Sequence, residues 1–166
     1  MAEGPAAARR DGQDPTSTLR LRWGSSRGRV AGGFVLIVGG GAAIAGSNTF
    51  TLLLALAGVL AHLAGWSIMP SAGWRRVVAS LGSTVAMVGL LGGPQFLGVL
   101  VIPYIGWLLV RHRPARSYPT LTFVLAAAII VARIFTVYAH MLLALGIVVA
   151  VMVASAWAAR ALSSRG

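Results

Sequence analysis

The chain contains no cysteine and no lysine, and no acidic side chain follows Asp14. Each absence excludes something. Without cysteine there are no disulfides, no thiolate metal sites and no cysteine nucleophile. Glu3, Asp11 and Asp14 are the only acids. The rest of the chain therefore offers no paired carboxylates for hydrolysis, no aspartyl dyad and no carboxylate cage for a metal. The same lack disfavours a proton relay, which ordinarily runs through Asp, Glu or His in the spans. No cofactor, metal or catalytic residue is expected, and the chain reads as a non-enzyme.

Charge of any kind is scarce. Only 10% of the 166 residues are charged, against 57% apolar, whereas soluble domains carry about 25% charged residues. A mean hydropathy of +0.82 fits a small integral membrane protein with room for one bundle. The charge present has one chemistry: all fourteen basic residues are arginines, and the net charge is +11. A nucleic-acid binder gathers such charge on a contiguous face with polar or aromatic base readers. Here the arginines are dispersed between apolar segments, so nucleic acid is not an expected partner.

Residues 1–29 hold all three acids and Arg9, Arg10, Arg20, Arg22, Arg27 and Arg29. This region reads as a disordered, Arg-rich cytoplasmic tail. Six apolar runs follow over 30–160: Val30–Gly46, Phe50–Ile68, Val77–Leu91, Gln95–Val110, Leu121–Tyr138 and Met141–Ala159. Residues 161–166 form a short second tail. A helix needs roughly 17–25 residues to cross a hydrocarbon core of about 30 Å. The second, fifth and sixth runs clear that range and the first just reaches it, but the third and fourth have only 15 and 16 residues. Residues 77–110 thus admit two readings: two full spans, or a re-entrant hairpin around Gly92-Gly93-Pro94.

Arginine decides the threading. The connections GSNT (46–49) and GGPQ (92–95) carry none, whereas Arg75 and Arg76, then Arg111, Arg113 and Arg116, then Arg160 and Arg165 occupy the alternate ones. The positive-inside rule places all charged connections and both termini in the cytoplasm. The expected fold is therefore an all-α, six-span transmembrane bundle with both termini cytoplasmic. Trp23, Trp66, Trp74, Trp107 and Trp157 all fall near the arginine-bearing side and read as an interfacial anchoring belt. The loop RHRPARSYP (111–119), with Arg75 and Arg76, makes a basic surface suited to anionic lipid headgroups.

Helices associate in lipid where small residues permit close approach. The sixth run has Gly146, Ala150, Ala154 and Ala158 at four-residue spacing, and the third has Gly82, Ala86, Gly89 and Gly93. The second has Ala57, Ala61 and Gly65, and the first has Gly39-Gly40-Gly41 at its middle. Each of the three spaced rows shares a helix face and is expected to pack inside the bundle or against a second copy, while the looser first run, with its consecutive glycines, is expected to allow close backbone approach. Pro103 removes a backbone donor and is expected to kink the fourth helix near Val99.

His62, His112 and His140 fall at different depths, a poor arrangement for a metal. His62 reads instead as a helix-to-helix hydrogen bonder. The stretch AHLAG (61–65) resembles the histidine-bearing helix of rhomboid proteases, but the nucleophile motif GxSG is missing. Gly82-Ser83-Thr84 departs from it, and the histidine precedes the serine, so no protease activity is carried over. Arg133 is the one arginine that threading leaves unexplained. It lies about 21 Å along the helix from Pro119, where the fifth run enters from the cytoplasm, with about 7–8 Å of helix remaining to Tyr138. Two readings stay open for it: snorkelling to the outer headgroups, or a functional charge facing a cavity or a partner's acid.

The stretches GWSIMPSAGWRR (65–76), GGPQFLGVLVIPYIGWLLVRHRPARSYPT (92–120) and MVASAWAARA (152–161) resemble the small multi-span membrane proteins of high-GC actinobacteria. The resemblance implies a bacterial cytoplasmic membrane and supplies no site residues. The leading expectation is a scaffold or accessory subunit of a membrane complex. Its rival is a small permease or channel with Arg133, Pro103 and His62 near the path.

Overall fold

The computed structural model describes residues 24–71 and 73–164. Most of the 1–29 tail and the end of the 161–166 tail lie outside the described residues. Six helices form, with no strand among the described residues: α1 (Ser26–Ala45), α2 (Leu52–Ile68), α3 (Gly73–Gly89), α4 (Val101–Val110), α5 (Leu121–Ile134) and α6 (Met141–Ser164). Helical structure overruns both expected boundaries, since α1 starts before Val30 and α6 continues past Arg160. Ser25 explains the early start: its hydroxyl accepts from the Gly28 N–H at 3.0 Å and caps the first turn. Three helical stretches are each long and apolar enough to cross a membrane: Ser26–Ala45, Ala115–Ile134 and Tyr138–Ser163. Leu52–Ile68 and Pro94–Val110 are apolar but shorter.

Short runs gain length from tighter coiling. Residues Pro94–Leu100 form a 3₁₀ segment ahead of α4, and that geometry rises about 2.0 Å per residue instead of 1.5 Å. The run from Pro94 to Val110 therefore extends roughly 29 Å despite its small residue count. This also corrects the expected kink. Pro103 lies in the first turn of α4, just where 3₁₀ gives way to α, and does not bend a continuous α-helix. Gly93 makes the turn between the third and fourth runs at φ +106°, a conformation only glycine adopts easily. A Cβ there would lie 3.9 Å from Tyr138. The 92–94 turn thus reaches the end of the bundle where the other arginine-free connections lie.

Hydrogen bonds define the two ends. Tyr138 Oη shares its proton between Ala45 O (2.7 Å) and Ser47 O (3.1 Å), tying the 135–140 and 46–51 connections together. At the opposite end Arg29 Nε donates to Ile68 O, Arg75 Nη1 to Leu109 O and Arg113 Nη1 to Ser163 Oγ. Successive helices therefore run antiparallel, and the arginine-bearing connections all collect at one end.

The closest seam lies between α1 and α2. A Cβ on Gly33 would meet Gly65 O at 2.9 Å, and one on Gly65 would meet Gly33 O at 2.8 Å. Seven residues along each helix, a Cβ on Gly40 would meet Gly58 O at 2.6 Å. Backbone touches backbone at both crossings, which only glycine allows. A larger cluster around Leu97, Leu100, Tyr104, Val124, Ala144 and Val148 joins the fourth, fifth and sixth runs. A smaller one of Trp66, Met69, Ala79 and Val110 fills the arginine end. Outside, many large apolar side chains stand exposed, among them Phe50, Leu53, Val85, Ile130 and Leu143. Such coverage suits lipid, since water-facing monomers rarely expose large contiguous apolar areas.

Candidate functional site

The polar group built most deeply into the bundle is His62. It is fully buried, and each ring nitrogen is engaged. Nδ1 lies 2.8 Å from Ile37 O on α1. A carbonyl can only accept, so Nδ1 carries the proton and Nε2 is the acceptor of a neutral ring. Nε2 then accepts from Ser83 Oγ of α3 at 2.7 Å and from the Trp66 indole N–H at 3.1 Å. One side chain thereby clamps three helices through bonds that lipid cannot replace. Glycine makes this placement possible: a Cβ on Gly40 would strike the His62 backbone N at 2.6 Å.

Ser83 and His62 have the spacing of a nucleophile and its base, and the Ile37 carbonyl fixes the tautomer as an orienting group would. The surroundings differ from those of a catalytic pair. Both side chains are fully buried, and Trp66 occupies the same nitrogen lone pair. Ser83 sits within α3, whose N–H groups are committed to the helical ladder instead of to an oxyanion. The pair acts as a packing clamp. Its tryptophan also revises the anchoring belt: Trp66 is 1% exposed and points inward, whereas Trp157 is 78% exposed.

The arginine end has a common construction. Helices α2, α4 and α6 all finish there, each leaving carbonyls without intrahelical donors. Arginines supply them. Arg29 Nε reaches Ile68 O at 2.7 Å and Arg76 Nη1 reaches Ser67 O at 2.8 Å, both closing α2. Arg75 Nη1 closes α4 on Leu109 O at 3.0 Å. Arg116 Nη2 closes α6 on Ser163 O at 2.8 Å. A cation at a helix C-terminus also meets the favourable end of its dipole.

Helix α4 ends in a reciprocal pair of bonds, Arg113 N–H to Leu108 O and His112 N–H to Leu109 O, with His112 at φ +53°. Glycine normally fills that left-handed position. The turn sends Arg111 back over Trp107, with its guanidinium 5.9 Å from the ring centroid, and Arg113 toward Ser163. Burial, then the charges of Arg113 and Arg160, push Arg111 down to about 10. Burial and the Arg75 charge hold His112 below its usual range. Ser117 donates to Ala159 O at 3.0 Å and fixes the following turn on α6. Thr120 spends its proton on Ser117 O, so the Tyr104 hydroxyl donates to Thr120 Oγ1.

Arg133 stands elsewhere. Helix α5 stops at Ile134 instead of continuing to Tyr138, because Phe135 and Val137 adopt extended backbone. One helical residue, not a further turn, lies beyond Arg133, and its side chain is exposed in the last turn of α5. Pro103 is buried in α4 and His62 is enclosed by three helices. Arg133 on the outer surface therefore shares no site with the other two. A depression of about 200 Å³ nearby is lined by Gly92, Gly93, Pro94, Gln95, Thr136 and Tyr138.

The small-residue rows divide. Ala86 is buried and a Cβ on Gly82 would touch Ile102 at 3.4 Å, but Gly89 faces open space. On α6 the whole row Gly146, Ala150, Ala154 and Ala158 faces outward, while Ala144, Leu145, Val148, Ser155 and Ala159 face the bundle. Sequence reasoning missed the bonds of Ser83 and Trp66 to His62, and of the α1–α2 seam it named Gly40 and Gly65 but not their partners Gly58 and Gly33. Seven-residue spacing of glycine was the available signal for the last. No family model, curated protein or solved structure matches the chain.

Proposed function

We propose that the chain is a six-span protein of a bacterial cytoplasmic membrane that serves as a scaffold or accessory subunit, without enzymatic activity of its own. Both termini and the arginine-bearing connections face the cytoplasm in this reading, and residues 77–110 make two full spans. The observation that carries the accessory role is the outward row Gly146, Ala150, Ala154 and Ala158 on α6, which no helix among the described residues covers. Such a row lets another helix approach closely in lipid, whether from a second copy or from a different membrane subunit. Arg75, Arg76, Arg111, Arg113 and Arg116 hold the assembly at the anionic cytoplasmic leaflet.

The interior supports this assignment over transport. At its centre His62, Ser83 and Trp66 pair with one another and leave no path between them, and Arg133 stands exposed in the last turn of α5, away from them. The test is purification in mild detergent followed by mass determination of the intact complex. A defined oligomer or a stoichiometric membrane partner is expected, dispersed by Ala150→Leu/Ala154→Leu. A monodisperse monomer with no companion would remove the accessory role. Solute flux in proteoliposomes that Arg133→Ala diminishes would establish the permease reading instead.

A further inference from the structure

At the end of the bundle opposite the arginine-bearing connections, a depression of about 200 Å³ opens between two connections, with Gly93, Pro94, Gln95, Ala132, Thr136 and Tyr138 in its lining. Backbone sets its shape. One wall is the turn after α3, closed by Gly93 N–H to Leu90 O and Phe96 N–H to Gly93 O. The other is the end of α5, where Phe135 N–H bonds Val131 O and Phe135 and Val137 adopt extended backbone. Tyr138 ties that wall to the α1–α2 connection through Ala45 O and Ser47 O. The lining carries no charged side chain but has unused hydrogen-bonding capacity. Gln95 Nε2 donates to Gly92 O at 3.2 Å, which leaves Oε1 and a second N–H uncommitted. The exposed Thr136 hydroxyl makes no hydrogen bond among the described residues. Ala132 belongs to the last turn of α5, whose carbonyls lack intrahelical donors.

We propose that this depression binds a phosphate-linked polyol, with the polyol hydroxyls inside and the phosphate outside on Arg133. A phosphatidylglycerol headgroup and a free glycerol phosphate share that chemistry. Inside, acceptors predominate: Gln95 Oε1, Thr136 Oγ1 and the carbonyl end of α5. They favour hydroxyl donors, and the negative end of the α5 dipole disfavours a bare phosphate there. The volume far exceeds the roughly 10–15 Å³ that one water needs, so it admits a group of several heavy atoms. Arg133 follows Ala132 directly, with about 3.8 Å between their Cα atoms, and its exposed side chain has the length to serve the mouth. A guanidinium fork matches phosphate oxygens in bidentate fashion. Phe96, next to Gln95, and Ile134, two residues from Thr136, are exposed and apolar, which suits acyl chains. Discrimination between a polyol and a bare phosphate comes from the uncharged lining and does not depend on the charge balance around Arg133. The site rests on the membrane reading above, though not on the accessory role.

The experiment uses the full chain in phosphatidylcholine nanodiscs containing either phosphatidylglycerol or phosphatidic acid, with native mass spectrometry of the released protein. Phosphatidic acid has the phosphate without the polyol and carries at least as much charge, so attraction by arginine alone would favour it. Two hydrogen bonds to the polyol should instead give phosphatidylglycerol about a tenfold preference. Gln95→Leu/Thr136→Val leaves every arginine in place and should remove that preference, whereas Thr136→Ser keeps the hydroxyl and should preserve it. Arg133→Gln should weaken phosphatidylglycerol retention about fivefold, the worth of one arginine near a membrane surface. Thr49→Val, at the same end but outside the depression, should bind as the wild type does. Circular dichroism of each variant checks that the helices remain. Retention that excess glycerol phosphate does not displace assigns the site to the headgroup. Displacement, or a rise in melting temperature that glycerol phosphate produces in pure phosphatidylcholine and Gln95→Leu/Thr136→Val abolishes, assigns it to the free solute. A preference that survives Gln95→Leu/Thr136→Val, an equal loss in Thr49→Val, or equal retention of both lipids with no response to glycerol phosphate overturns the proposal. A chain that fails to enter nanodiscs overturns the membrane reading first, and the proposal with it.

Discussion

Two rows of small residues look alike on paper and do opposite things. Gly33 and Gly40 on α1 face Gly58 and Gly65 on α2, with backbone against backbone. Gly146, Ala150, Ala154 and Ala158 on α6 are more regularly spaced, yet all four face outward and Gly146 has open space where a Cβ would go. The first row is a seam and the second is a free face. Regular small-residue spacing shows that residues share a helix face, and nothing in it shows whether another helix lies opposite. The seam also carries the polar clamp, because His62 reaches Ile37 O only when the two backbones nearly touch.

The largest expected effect breaks the seam. In Gly40→Leu the Cβ alone would sit 2.6 Å from Gly58 O and from the His62 backbone N. Neither atom can move without its helix, so the loss should reach or exceed about 3 kcal/mol, above the usual range for overpacking. Gly146→Leu meets nothing in the chain and should, if anything, stabilise α6 by about 0.5–1 kcal/mol through helix propensity. Thermal or denaturant melts in detergent compare the two, and equal losses would erase the distinction between seam and free face.

Next comes the clamp. His62→Ala leaves the Ser83 hydroxyl and the Trp66 N–H without their acceptor in an apolar interior, a cost of about 1–3 kcal/mol. Ser83→Ala removes one partner and leaves Trp66 satisfied, so about 0.6–1 kcal/mol is expected. The same melts measure both, and Ser83→Ala matching His62→Ala would mean that the indole bond contributes nothing.

The finest test lies inside one tripeptide. Around Gly39 a Cβ would meet nothing, around Gly40 it meets backbone, and around Gly41 it meets the flexible Met87 Sδ at 2.9 Å. Gly39→Ala should therefore stabilise α1 by about 0.5–1 kcal/mol through helix propensity. Gly41→Ala should be nearly neutral as Met87 shifts aside, and Gly40→Ala should destabilise. Any other order across these three variants contradicts the seam.

Much of the architecture was legible in the residues. Six apolar runs correspond to six helices, and the alternation of arginine-free and arginine-rich connections matches the two ends. The end of α5 was not legible, because Phe135-Thr136-Val137 is as apolar as a helix interior although Phe135 and Val137 adopt extended backbone. That misplaced Arg133 by about a turn and made a C-terminal, exposed arginine look deep. Trp66 was hidden for a related reason: a tryptophan near a basic boundary reads as an anchor, while the packing of Phe34, Ala79 and Val110 from three other helices gives its helix an inward face there.

The sequence by itself determined the apolar character that suits lipid, the number of helices and which connections share a side. Those follow from run length, hydropathy and arginine placement, and each is a one-dimensional property of the chain. Only the tertiary structure decided which faces meet. It turned Gly40 and His62 inward, turned Gly146 and its row outward, and brought Arg160 beside Arg111. The physical reason is that lipid is as apolar as a protein core, so hydrophobicity does not separate an inner helix face from an outer one.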